Sequence, residues 1–255
     1  MAQGSSEFQT EWVWGKQSVL ELLKVRPQQI REIILSSPEK DPIRQEIFNL
    51  ASGKGIPVTI KDRRQIDRIL PVPTHQAVIA RIKIEDLFTP LESLVAKIGP
   101  GRDFAPVLLA LDHIQDPQNL GAMIRTAHCA GIEGVLLPKD RSCPLTGTVR
   151  KAAAGALEHV ALVQVVNLVR ALEFLKEQGF WILSLEADAR DSLYDLDLRG
   201  PLVVVVGGEG KGVSPLVKKH SDWVASIPLK GIVSSLNASA ACAVVLFEIF
   251  RQRLK

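Results

Sequence analysis

A chain of 255 residues that is 46% hydrophobic and 23% charged has the composition of an ordinary globular protein, large enough for one large domain or two small ones. Disordered and fibrous classes are excluded by the same numbers. The formal net charge of +3 is unevenly spread: residues 1–83 carry 13 Lys and Arg against 9 Asp and Glu, net +4, whereas the remainder carries 18 against 19, net −1. A basic appendage on a near-neutral body suits a phosphate grip, although charge alone equally describes a solvated face.

Residues 1–10 lack the basic start and apolar core of a signal peptide, so a cytoplasmic protein is expected. From Trp14 the chain alternates between helical and strand patterns. A helix is predicted over 16–25, a strand over 32–35, a helix over 42–51, a strand over 57–60, a helix over 63–70 and a strand over 76–82. This predicts a small α/β domain over 1–83. The pattern then weakens, and Gly99-Pro100-Gly101-Arg102-Asp103 is a cluster of turn formers, which predicts a linker over 84–104.

A second domain is predicted over 105–255. Residues 106–111 are almost wholly apolar, a helix opens at Pro117, and further strands are expected at 134–137, 180–185, 202–206 and 223–227, with a last helix over 235–251. Alternation of this kind makes an open parallel sheet with helices on both faces. The longest apolar stretch, 238–247, is too short to span a bilayer, so no membrane partner is expected. Cys129, Cys143 and Cys242 have no paired spacing; buried free thiols are predicted rather than disulfides, and no metal site is expected.

Three segments of the second domain carry chemistry. Gly207-Gly208-Glu209-Gly210-Lys211-Gly212 follows a strand but fits neither common phosphate loop: no hydroxyl residue follows the lysine, and Val213 stands where the dinucleotide fingerprint needs its third glycine. What remains is a loop at the carboxyl end of a parallel strand, suited to close approach of a ligand and equally to a tight turn. Asp116-Pro117-Gln118-Asn119-Leu120-Gly121-Ala122-Met123-Ile124-Arg125-Thr126 opens a helix, with Asn119 in its first turn. Ile227-Pro228-Leu229-Lys230-Gly231-Ile232-Val233-Ser234-Ser235-Leu236-Asn237-Ala238-Ser239 leads into the last helix, where Ser235 and Asn237 are natural caps. Taken singly, Arg125 reads as a solvated helix charge and the others as caps and turns.

Together, and in this order, the three segments closely resemble the motifs of the SpoU family of RNA 2′-O-methyltransferases. Residues 12–82, with Trp14-Gly15-Lys16-Gln17-Ser18-Val19-Leu20-Glu21, look like the ribosomal-protein-like substrate-binding domain of that family's 23S rRNA guanosine members. Gly208 departs from a position that is usually polar, Leu229 from a common Met, and His128 from a usually small residue. The resemblance implies an α/β fold in which a trefoil-knotted parallel-sheet domain, its knot between about 202 and 241, follows the small domain. It implies an S-adenosylmethionine-dependent enzyme that methylates a ribose 2′-hydroxyl of RNA, with the methyl donor held by Gly207, Ile227 and Leu236. Arg125 matches the family's catalytic arginine, and Asn119, Glu209, Ser235 and Asn237 match its other polar positions. The N-terminal domain favours rRNA as the partner; a tRNA ribose methyltransferase and a non-catalytic RNA-binding scaffold are the alternatives. A homodimer is expected through the last helix, where Ala240, Val244, Val245, Phe247 and Phe250 offer more apolar surface than one side of a sheet needs.

Overall fold

The computed structural model describes residues 10–83, 87–98, 105–232 and 234–254. The turn cluster at 99–103 and the first nine residues lie outside them. The structure divides into two units, one formed by the described residues within Met1–Leu87 with Leu145–His159, the other by those within Phe88–Pro144 with Val160–Lys255.

In the first unit, β1 (Thr10–Trp14), α1 (Lys16–Val25), β2 (Ile30–Leu35), α2 (Pro42–Gly53), β3 (Val58–Ile60), α3 (Arg63–Ile69) and β4 (Val78–Lys83) follow one another. The sheet order is β1-β4-β2-β3, antiparallel except for the parallel pair β2 and β3. Helix α2 starts where Asp41 accepts from the amides of Ile43 and Arg44, with Pro42 in the first turn, where its missing N–H costs nothing. Leu22, Leu23, Ile33, Leu35, Ile47 and Ile82 are wholly buried between these elements.

The second unit opens with α4 (Leu91–Ile98) and β5 (Val107–Asp112), then α5 (Pro117–Cys129) and β6 (Gly134–Pro138). The chain next makes α6 (Gly147–Ala153), which belongs to the first unit, and returns for β7 (Ala161–Val165), α7 (Leu168–Glu177), β8 (Trp181–Leu185) and the short β9 (Asp191–Ser192). It ends with β10 (Leu202–Gly207), α8 (Pro215–Lys219), β11 (Trp223–Ser226) and α9 (Ala238–Arg253). Every pair in the seven-stranded order β7-β6-β5-β10-β8-β11-β9 is parallel. All residues of β5 and β10 are buried, as central strands covered on both faces must be. Leu108, Ala110, Val203 and Val205 face a layer made by α4, α7 and α8. The alternate residues face the other side, where α5 and α9 pack on each other and against β6 and β10.

Several expectations need correcting. The stretch read as a linker holds α4, whose Leu91, Leu94 and Ile98 are buried in the second unit's core; their helical spacing was present but only eight residues long. Strands β1 (Thr10–Trp14) and β7 (Ala161–Val165) were not among the expected elements. The last helix begins at Ala238 rather than 235, since Asn237 caps it. Val245 is buried in the core face of α9 instead of joining its outer stripe. Cys143 and Cys242 are buried, and burial pushes both thiols up, but Cys129 is exposed.

Candidate active site

The carboxyl ends of β8, β10 and β11 converge around a cavity of ≈ 650 Å³ lined by Leu185, Val206, Ile227, Leu229 and Leu236 and by the loop 207–212. It lies beside the point where strand order reverses, between β5 and β10, where open parallel sheets bind ligands. The loop folds back tightly on its own strand. A Cβ on Gly207 would sit 2.0 Å from the carbonyl carbon of Gly212, and one on Gly208 would sit 2.5 Å from the carbonyl oxygen of His113. Both contacts are with backbone, which cannot swing away, so this path requires glycine at both positions.

Two carboxylates hold the loop in place. Asp112, at the end of β5, accepts at Oδ2 from the amide of Ser214 (2.7 Å), and its carbonyl accepts from the amide of Gly208 (2.9 Å). Glu186, one residue past β8, accepts at Oε1 from the amide of Val213 (2.5 Å) and at Oε2 from the ammonium of Lys218 (3.1 Å). Neither was singled out in the sequence. The available signal was slight: an acid directly after an apolar strand.

Glu209, Asn119 and Asn237 come from three different segments and close into one cluster. The Asn119 amide donates to Glu209 Oε1 (2.9 Å), and the Asn237 amide donates both to Glu209 Oε1 (2.7 Å) and to Asn119 Oδ1 (3.0 Å). The local folding of each helix start explains their meeting. Asp116 Oδ1 accepts from the Asn119 backbone N–H (2.7 Å) and so caps α5, while Asn237 Oδ1 accepts from the amides of Ser239 and Ala240 and caps α9. Glu209 therefore places its negative charge beside the first turns of two helices, where the backbone dipoles favour it.

Gly207, Glu209, Ile227, Ser235, Leu236 and Asn237 line the cavity, and Asn119 joins them through its hydrogen bonds. Ser235 lies in the loop ahead of α9 and caps nothing. Arg125 stands apart. It is exposed on α5, does not line its own chain's cavity, and has no ion-pair or hydrogen-bond partner among the described residues. Among those residues, no group of three or more His, Cys, Asp or Glu is placed to hold a metal ion, and no helix is long and apolar enough to cross a membrane.

Comparison with known proteins places the sequence and the fold among RNA methyltransferases. The model of the SpoU rRNA Methylase family matches residues 106–247, and a model described as RNA 2'-O ribose methyltransferase substrate binding matches residues 12–87. A Pseudomonas aeruginosa protein named 23S rRNA (guanosine-2'-O-)-methyltransferase RlmB is 43% identical over 245 residues, covering 96% of this chain and 98% of that one. A protein of the same name from Xanthomonas campestris is 40% identical over 248 residues, with the same coverage. Among solved structures, the AdoMet-bound rRNA methyltransferase of Sinorhizobium meliloti superposes with a TM-score of 0.80 at 22% identity, covering 98% of this chain and 90% of that chain. The SpoU methyltransferase AviRb of Streptomyces viridochromogenes, in complex with AdoMet, superposes with a TM-score of 0.77 at 20% identity, covering 98% and 95%. At these identities the two structures show a shared fold.

Proposed function

This chain belongs to the SpoU rRNA Methylase family, and on that premise we propose that it transfers the methyl group of S-adenosylmethionine to the 2′-hydroxyl of a ribose in RNA, a guanosine of 23S rRNA. The observation that carries the reading is the Asn119–Glu209–Asn237 cluster at the rim of a cavity at the strand carboxyl ends. The relatives' names supply the rRNA substrate, and residues 12–87, which match a model described as RNA 2'-O ribose methyltransferase substrate binding, supply a domain to hold the RNA.

The residues present fit the donor. A cavity of ≈ 650 Å³ is of the size that encloses a nucleoside-sized ligand. Ile227, Leu229 and Leu236 give an apolar wall for an adenine, and the Gly207–Gly208 path brings bare backbone to the cavity. S-adenosylmethionine, when bound, supplies a methyl group on a sulfonium that is already electrophilic. The chain's task is to align the ribose oxygen and ease the departure of its proton.

A guanidinium is permanently protonated, so Arg125 acts as a fork that clamps the neighbouring phosphate and stabilises negative charge developing on the 2′-oxygen. Asn119 and Asn237 fix Glu209 through Oε1; Oε2 has no partner among the described residues and is left to accept from the ribose hydroxyl or a loop amide. Ser235 adds a hydroxyl on the same rim.

The reading includes a homodimer. Ala240, Phe247 and Phe250 are exposed on α9 with Val244 half-buried, and the two phenylalanine rings pack edge to face at 6.2 Å, an apolar stripe opposite the helix's core face. Because α5 packs on α9 and Arg125 lies outside its own cavity, pairing through α9 is the arrangement that lets one copy's Arg125 serve its partner's cavity. The reading also includes a trefoil knot between about 202 and 241, supported by the return of α9 to β10 and α5 after the chain has run out to β11, and a cytoplasmic setting beside the ribosome.

Calorimetry with the full chain tests the donor site. Heat of binding for S-adenosylmethionine and for its demethylated product, at one site per chain, is expected; folded protein that binds neither would overturn the proposal.

A further inference from the structure

We propose that the Arg63, Arg64 and Arg68 face of α3 is a docking surface for the phosphate backbone of the RNA substrate, an inference that rests on the RNA-methyltransferase reading above. Helix α3 is anchored by Ile66, which is wholly buried against Trp14, Ile34, Ala77 and Ile79. At 3.6 residues per turn the three arginines span an arc of roughly 140°, with Arg64 and Arg68 roughly 160° from Ile66 and Arg63 at the flank, roughly 60° from it. All three are exposed, and Lys61 precedes them.

The two acids of this segment make structural hydrogen bonds, although Asp67 is half-exposed and lies on the same arc between Arg63 and Arg64. Asp62 Oδ1 accepts from the backbone of Gln65 (2.8 Å) while Gln65 Oε1 accepts from the backbone of Asp62 (3.0 Å), a reciprocal cap. Asp67 Oδ1 lies 2.6 Å from Nε2 of the buried His75. Since His75 Nδ1 accepts from the amide of Ala77 (2.8 Å), its Nε2 carries the hydrogen that Asp67 accepts. No carboxylate among the described residues lies within ion-pair distance of Lys61, Arg63, Arg64 or Arg68.

Many cations of the same unit are treated differently. Lys16 faces Asp41 (2.7 Å), Lys24 faces Glu46 (2.9 Å), Arg81 faces Glu32 (2.9 Å), and Arg26 and Arg150 face Glu158. Against that background, three unpaired forks on one rigid helix form a surface complementary to a polyanion. Guanidinium groups match phosphate oxygens two by two, which ammonium groups do not. Arg63 to Arg68 rise about 7.5 Å along the axis, enough to meet two or three phosphates.

The test uses the full-length protein with S-adenosylmethionine and a 23S rRNA transcript as the probe. The triple variant R63Q/R64Q/R68Q should bind the transcript about tenfold or more weakly near 0.1 M salt, with the slope of log affinity against log salt shallower by about one for each arginine that meets a phosphate. KM for RNA should rise with kcat little changed at saturating RNA, and donor affinity and melting temperature should stay at wild-type values. R199Q is the control: Arg199 is equally exposed but held by Asp197 through two 2.8 Å bonds, and its loss should leave the slope alone. A folded, donor-binding triple variant with wild-type KM and salt slope would overturn the inference. A wild-type protein that shows the arginine-dependent slope but transfers no methyl group would sink the enzymatic reading and leave the docking surface standing.

Discussion

The side chain of Asn237 divides its work between its two ends: Oδ1 caps α9, and Nδ2 donates to Glu209 and Asn119. Serine caps a helix nearly as well but has no amide to donate. Asn237→Ser should therefore keep the melting temperature while lowering methyl transfer about ten- to a hundredfold, the equivalent of a hydrogen bond to a charged group worth roughly 1.5–3 kcal/mol. Asn237→Ala should lose the cap as well, a further ~1 kcal/mol of stability. Wild-type turnover in Asn237→Ser would leave Asn237 as a cap alone. Arg125 calls for a different experiment, because it is exposed and unpartnered. Arg125→Ala should leave donor affinity and stability unchanged yet slow single-turnover methylation by orders of magnitude, and Arg125→Lys should recover little of it, since the charge returns without the planar fork. Near-normal single-turnover rates in Arg125→Ala would return it to the solvated helix charge that its sequence context alone suggests. The motif residues were legible because their order and spacing carry the site. Asp112 and Glu186 were not, because an acid at a strand end looks like an ordinary turn residue until the fold shows which amides it accepts.

Among the elements, the segment that departs most from the sequence reading is Leu145–His159. It lies between β6 and β7 in the chain yet packs into the first unit. Gly147 sits so close beneath Trp14 that a Cβ there would overlap the indole ring. Arg150 and Glu158, with side chains 2% and 3% exposed, pair directly, and Arg26 lies 3.6 Å from the same carboxylate. Removing one partner of a buried pair strands the other's charge, so Glu158→Ala should destabilise the protein by about 3–5 kcal/mol, read from denaturant midpoints. A change under ~1 kcal/mol would show the pair to be dispensable. It follows that residues 1–83 are a poor unit for truncation: their deletion would strip cover from α6, and loss of RNA binding could not then be told from misfolding. Periodicity revealed most elements of both units, but it carries no information about which sheet a short helix such as α6 joins.

On the scale of the whole molecule, strand order was the least legible property. Alternation announced a parallel sheet, yet the placing of β10 between β5 and β8 depends on pairings between segments far apart in sequence. That placing brings the loops after β8, β10 and β11 to a single cavity. The outer stripe of α9 makes the assembly testable: Phe247→Asp with Phe250→Asp should halve the mass measured by light scattering, whereas wild-type protein that is already monomeric at micromolar concentration would remove the dimer from the account. If each cavity borrows its partner's arginine, mixing the inactive Arg125→Ala and Glu209→Gln chains should restore part of the activity, because one cavity of the mixed pair is complete; with each site built from one chain, the mixture stays inactive. The central claim is tested most directly by incubating the protein with methyl-labelled S-adenosylmethionine and a 23S rRNA transcript, then digesting the RNA with alkali. Label in an alkali-resistant dinucleotide beginning with guanosine is the predicted result, because a 2′-O-methyl group removes the hydroxyl that cleavage needs. Label confined to alkali-released mononucleotides, or no transfer by folded, donor-binding protein, would contradict it.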